Sequence, residues 1–214
     1  MSDTHKSSAS GAPVGSAIRP LRTVFLDRDG VLNQKMPEGE YVRSLTDFRL
    51  LAGVPNAIAR LNRAGLRTIV VTNQRGIALG LYTAADVEAV HAGLGSELAR
   101  HGARIDAFYM CPHGKHECNC RKPLTGLFDQ ARADFPGIAA DTSVMIGDSL
   151  SDIEFGCRLG MMTIFVAGDE DRQKPGAETA TELADWRATS LAEAVDRLLR
   201  LQAAVKSAAK SATT

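Results

Sequence analysis

Two aspartates spaced two apart, Asp27 and Asp29, close a short apolar run and are followed at once by Gly30. In an extended chain, residues two apart point to the same side. Their carboxylates therefore meet at the C-terminal end of a strand, beside a glycine that lets the backbone turn sharply. A carboxylate is ionised at neutral pH and needs no base to become a nucleophile. Two this close repel, so a cation sits between them or one holds a proton. Both outcomes suit phosphoryl transfer. Asp27 attacks phosphorus while a hard cation such as Mg²⁺ screens the charge, and Asp29 protonates the leaving oxygen and later takes a proton from water. The plainer alternative is a strand-ending turn with a solvated or Ca²⁺-like acid pair.

Three other stretches carry groups that suit the same chemistry. Thr72 and Asn73 end a second apolar run. A threonine hydroxyl and turn amides can donate to phosphate oxygens, although both residue types are also common in plain turns. Arg121 and Lys122 place two cations before a helix. Lysine offers a compact charge for phosphate and arginine a planar fork for substrate oxygens; a solvated basic pair is the bland alternative. Thr72 and Lys122 are thus assigned to the phosphoryl group, Asn73 and Arg121 to the substrate. Asp148 can complete a Mg²⁺ shell with Asp27 and a carbonyl oxygen such as that of Asp29. Asp152, one helical turn on, has a supporting part: it holds the loop, pairs with Lys122, or is simply an acid favoured in a helix's first turn.

Cys111, His113, Cys118 and Cys120 form a second constellation. Three thiolates and an imidazole satisfy tetrahedral Zn²⁺. His116 could replace His113, and a redox pair is the rival, though Cys118 and Cys120 are too close in sequence for an unstrained disulfide. With all four positions filled by protein, such a site is structural, and it would lock the loop that presents Arg121 and Lys122.

The elements that must position these groups alternate. Apolar runs at 24–26, 68–71, 105–110, 143–146 and 162–166 read as strands, and helical patterns occupy about 54–63, 84–100, 126–134, 151–160 and 191–201. Ser190 and Glu193 form a capping box for the last helix. Residues 34–51 read as a flap with a short hairpin, and 171–180 as loop. Cys157 reads as a core thiol, and His91 and His101 as surface or helix-side residues. This order implies an α/β fold: a Rossmann-like parallel sheet with helices on both faces, a zinc-bound loop and no large cap. In a parallel sheet the strand ends share an edge, so Asp27, Thr72 and Asp148 converge.

The chain has 214 residues and a formal net charge of zero, which argues against general nucleic-acid affinity. Its 44% hydrophobic and 23% charged residues are those of a soluble globular protein. No run approaches the roughly 18 apolar residues of a membrane span. Residues 1–20 read as a disordered lead without a signal's apolar segment, 21–204 as one domain, and 205–214 as a flexible tail. Four cysteines, three of them within ten residues, are no disulfide framework. A cytoplasmic monomer without nucleic-acid or membrane partners is expected.

Together these residues resemble the haloacid dehalogenase superfamily of phosphatases, whose four motifs occur in order as Asp27-x-Asp29, Thr72, Lys122, and Gly147-Asp148 with Asp152. The likeness covers about residues 21–200. The Cys111-Pro-His113…Cys118-x-Cys120-Arg121-Lys122-Pro123 loop is similar to that of the heptose bisphosphate and histidinol phosphatases. Asp29 to Asn33 and Thr72 to Gly80 look more like the D-glycero-D-manno-heptose 1,7-bisphosphate 7-phosphatases. The resemblance implies Asp27 as nucleophile, Asp29 as proton donor, Thr72 and Lys122 as phosphoryl stabilisers, and Arg121 in substrate recognition. It also implies a Mg²⁺-dependent phosphatase for a small sugar phosphate acting through an aspartyl-phosphate. Histidinol phosphate is the alternative substrate, and a non-catalytic zinc-stabilised binding module the alternative class. Ser149 stands where many heptose enzymes have lysine.

Overall fold

The computed structural model describes residues 20–168, 173 and 175–211. Residues 1–19 of the expected lead at 1–20, residues 171, 172 and 174 of the expected loop, and residues 212–214 of the expected tail lie outside these. Six strands, β1 (Thr23–Leu26), β2 (Arg67–Asn73), β3 (Ala107–Cys111), β4 (Ser143–Gly147), β5 (Met162–Val166) and β6 (Trp186–Ala188), make one sheet in the order β3-β2-β1-β4-β5-β6. Every neighbouring pair is parallel. Among the described residues there are six α-helices, α1 (Val54–Arg63), α2 (Ala84–Ala99), α3 (Gly126–Asp134), α4 (Leu150–Leu159), α5 (Ala177–Leu183) and α6 (Leu191–Ser211), and one short 3-10 turn, Ala140–Thr142. Among the described residues no helix is long and apolar enough to cross a membrane.

The central strands are continuous apolar runs because both faces are covered. Val24 and Leu26 of β1 pack with Ile58 and Leu61 of α1 and Val195 and Leu198 of α6. Phe25, pointing the other way, packs with Leu127 and Phe128 of α3 and Phe155 of α4. Each such large side chain contributes roughly 1.5–3 kcal/mol on burial. From β1 the chain crosses first to β2 and β3 on one side, then to β4, β5 and β6 on the other. That reversal opens a crevice at the C-terminal end of β1, the place where open α/β sheets bind ligands.

The structure departs from the sequence reading in several places. It adds α5 and β6; α5 begins within the stretch read as loop. β6 is a three-residue edge strand held only by β5. The flap at 34–51 contains no hairpin: it is pinned at its base by an Asn33–Leu50 bridge. α6 continues to Ser211, through most of the expected tail. Cys157 is exposed, because the inward stripe of α4 is Asp152, Ile153, Phe155 and Gly156. His91 is buried and stacked on Phe108. The α6 cap is shared: the Glu193 amide donates to Ser190 Oγ, while Glu193 Oε2 accepts from the Thr189 amide and hydroxyl.

Candidate active site

β1, β2 and β4 each deliver one polar group to the same edge. Asp27 follows β1, and its amide donates to the Ile146 carbonyl of β4 at 3.0 Å. Thr72 lies near the end of β2, and Asp148 follows β4. Asp27, Asp148 and Asp152 bring carboxylate oxygens within 4.8 Å of one another, all buried. This is a set of hard oxygen donors that fits Mg²⁺. Two glycines make the approach sterically feasible. A Cβ on Gly30 would lie 2.1 Å from Asp148 Oδ2, and one on Gly147 would lie 2.1 Å from the Asp152 Cβ.

Lys122 reaches into this cluster from the loop after β3. Its ammonium stands 2.8 Å from Asp27 Oδ1 and 2.6 Å from Asp152 Oδ1, and donates to the Val71 carbonyl at 2.6 Å. Burial by itself would push its pKa down, but the Asp152 and Asp27 carboxylates outweigh burial and hold it above the usual lysine value. Asp152 also anchors the start of α4, accepting from the Ser149 hydroxyl at 2.6 Å and the Ser149 amide at 3.1 Å. With both oxygens engaged, Asp152 orients Lys122, which leaves Asp27 and Asp148 as the carboxylates best placed to face an ion.

Asn73, expected at the substrate, is committed elsewhere. Its side chain donates to the Lys122 carbonyl and accepts from the Lys122 amide, both at 3.0 Å. It clamps the lysine loop onto β2 with its carbonyl oxygen and one of its two amide hydrogens. Arg121, half-buried, has a buried Nη1 without a hydrogen-bond partner among the described residues.

Asp29 is the most heavily donated group in the site. It accepts from Arg28 Nη2 at 2.9 and 3.0 Å, from Asn33 Nδ2 at 2.9 Å and from Gln74 Nε2 at 3.1 Å. Burial raises its pKa, but the Arg28 charge and the hydrogen bonds from Asn33, Arg28 and Gln74 bring it below the usual carboxylate value. At rest it is a carboxylate, with its side chain still 26% exposed.

Sequence reasoning does not single out Arg28, Asn33, Lys35, Gln74 or Tyr82. Lys35, from the flap, makes an ion pair with Asp148, and both line a cavity of about 280 Å³ beside the carboxylates. The position of Arg28, between two acids and at a strand end, is a usable signal. Lys35, Gln74 and Tyr82 meet partners only through tertiary contacts.

The cysteine loop places Cys111, His113, Cys118 and Cys120 around one point. His113 Nδ1 lies 3.7 Å from Cys111 Sγ and 3.4 Å from Cys120 Sγ, and Cys118 Sγ lies 3.5 and 3.4 Å from Cys111 and Cys120. Such edges match a tetrahedron with Zn–S bonds of about 2.3 Å and Zn–N bonds of about 2.0 Å. They are far beyond the roughly 2.05 Å of a disulfide. His116 is not part of the group.

Comparison with known proteins identifies relatives of the chain. A model of the HAD-hydrolase-like family matches residues 119–194, and one of the polynucleotide kinase 3 phosphatase family matches residues 22–154. The D-glycero-alpha-D-manno-heptose-1,7-bisphosphate 7-phosphatase of Mycobacterium tuberculosis is 42% identical over 132 residues, 61% of this chain and 69% of its own. The D-glycero-beta-D-manno-heptose-1,7-bisphosphate 7-phosphatase of Escherichia coli is 34% identical over 183 residues, 82% of this chain and 92% of its own. Among solved structures, the D,D-heptose 1,7-bisphosphate phosphatase of B. bronchiseptica, complexed with magnesium and phosphate, aligns with a TM-score of 0.72. It is 31% identical and covers 84% of this chain and 99% of its own.

Proposed function

The chain belongs to the HAD-like hydrolases, in the group that contains the heptose bisphosphate 7-phosphatases, and from this we propose that it removes the 7-phosphate of D-glycero-D-manno-heptose 1,7-bisphosphate. The observation that carries the reading is the single buried cluster of Asp27, Asp148, Asp152 and Lys122 at the end of β1. The neutral net charge favours a small substrate over a polynucleotide.

In this reading Asp27 attacks phosphorus in line with the departing sugar oxygen, forming an aspartyl-phosphate. Lys122 and the Thr72 hydroxyl face the phosphoryl oxygens and stabilise their charge. Asp29 takes a proton from solvent once the substrate's negative charge lies beside it and gives it to the sugar oxygen; as a carboxylate it then takes a proton from the water that splits the aspartyl-phosphate, and returns it to solvent as inorganic phosphate leaves. Asp27, Asp148 and a carbonyl oxygen such as that of Asp29 would hold Mg²⁺, which when bound would supply charge neutralisation for the transfer. Arg121 binds the rest of the substrate. Cys111, His113, Cys118 and Cys120 would hold a structural Zn²⁺, and the enzyme is read as a cytoplasmic monomer.

The test is phosphate release from both anomers of the heptose bisphosphate, from histidinol phosphate and from a 3′-phosphorylated oligonucleotide. Turnover on the heptose bisphosphate that is lost in Asp27→Asn and reversibly abolished by EDTA is expected. Undiminished activity in Asp27→Asn, or faster release from either other substrate, would overturn it.

A further inference from the structure

Thr72 and Asp29 come from the ends of different strands, yet one side chain joins them. Gln74 Nε2 lies 2.9 Å from Thr72 Oγ1 and 3.1 Å from Asp29 Oδ2. Both Gln74 and Thr72 are buried. The amide nitrogen carries two hydrogens and only donates, and a carboxylate such as Asp29 only accepts. The other end of the amide is fixed as well: the Tyr82 hydroxyl donates to Gln74 Oε1 at 2.8 Å. The network therefore sets which end of the amide faces the site. Burial pushes the Tyr82 phenol up to about 12, so it remains a donor at neutral pH.

Tyr82 is itself held in place. Its ring packs against Tyr41 of the flap, centroids 5.9 Å apart. On its other side Gly76 leaves the space it needs, since a Cβ there would lie 2.1 Å from Tyr82 Cε1.

The consequence falls on Thr72. A hydroxyl has one hydrogen to give and two lone pairs to receive with. Among the described residues Gln74 is the one hydrogen-bond partner of the Thr72 hydroxyl, and it occupies a lone pair. The O–H hydrogen is thereby kept for an acceptor that the described residues do not supply. We propose that Gln74 is a positioning residue for phosphoryl transfer: aimed by Tyr82, its amide keeps the Thr72 hydroxyl as a donor to the phosphoryl oxygens and holds the Asp29 carboxylate in line with the leaving oxygen. The inference rests on the phosphatase reading.

A double-mutant cycle tests it on the full chain with Gln74→Leu, Thr72→Val and the combination, with Tyr82→Phe beside them. Gln74→Leu is expected to lower kcat about 10- to 100-fold, the usual cost of losing an outer partner of a reacting group, with a small change in KM. Added to Thr72→Val it should cost much less than alone, because residues in one hydrogen-bond network are not additive. Tyr82→Phe should lower kcat several-fold and keep the chain testable if Gln74→Leu fails to fold. Affinity for inorganic phosphate, measured by calorimetry, should show the same coupling. Multiplicative effects of Gln74→Leu and Thr72→Val, or wild-type kinetics in Tyr82→Phe, overturn the inference while leaving an active wild type as a phosphatase. A wild type that releases no phosphate from any monoester overturns both.

Discussion

The Lys122 ammonium and the Asp27 carboxylate are 2.8 Å apart in a site that excludes nearly all solvent from both. The same ammonium contacts Asp152, so one cation is set against two buried carboxylates. Lys122→Met should therefore do two separate kinds of damage. Phosphate release should fall at least about 100-fold, as when a preorganised donor to a developing charge is removed. The fold should lose roughly 3–5 kcal/mol, because truncating one side of a buried ion pair strands the other. Steady-state kinetics and urea unfolding check the two effects; a variant as stable as the wild type would show that Lys122 does not neutralise the pair.

The cysteine loop leads directly into Arg121 and Lys122, so damage to it should be felt in catalysis. Cys120 is buried with its sulfur 3.4 Å from both Cys118 Sγ and His113 Nδ1. Cys120→Ser should release the metal, lower the melting temperature and reduce kcat/KM about 10- to 100-fold. The expected content is one zinc per wild-type chain and none in the variant, by elemental analysis. Full activity in a zinc-free variant would separate the loop's metal from its presentation of Lys122.

Much of this arrangement is legible in the amino-acid sequence. Asp27, Thr72 and Asp148 each close an apolar run, and a parallel sheet brings such ends to one edge. The four zinc-type donors lie within ten residues, so local chain geometry nearly determines their meeting. β6 is invisible there because Trp186–Ala188 has no apolar run and exists only through pairing with β5. Cys157 reads as core because its neighbours are apolar, while its own direction on α4 is outward. Asn73 reads as a substrate group because its type suits a phosphate loop; its partner, the Lys122 backbone, is 49 residues away. Gln74 and Tyr82 likewise acquire meaning only when β2 and the turn after it are folded together.

Gly30 shows how tightly the carboxylates are nested. Its φ is 95°, and a Cβ there would fall 2.1 Å from Asp148 Oδ2. Gly30→Ala must both strain the turn, at about 1–3 kcal/mol, and displace Asp148. The Mg²⁺ concentration giving half-maximal activity should rise about 10- to 100-fold, with a smaller loss at saturating metal. A Mg²⁺ titration by activity and by calorimetry decides it; an unchanged midpoint would mean that Asp148 does not contribute to metal binding.

His91 links stability to pH. Its ring stacks on Phe108 with centroids 4.4 Å apart, and Nε2 has no hydrogen-bond partner among the described residues. Burial, helped by the Arg28 charge and opposed by Asp29, pushes its pKa down to about 4. In the unfolded chain a histidine titrates near 6.5. Between these values the unfolded state binds the proton and the folded state does not, so stability rises with pH. The contribution of the neutral ring is complete above about 6.5 and drains away as pH falls toward 4. At about 1.36 kcal/mol per pH unit it amounts to about 3 kcal/mol across the whole window. His91→Phe keeps an aromatic ring on Phe108 and cannot take up the proton. Against the wild type it should gain stability at pH 5 relative to pH 7.5, read as a change in the difference of urea midpoints. Equal differences at the two pH values would mean that the folded protein accommodates the charged ring.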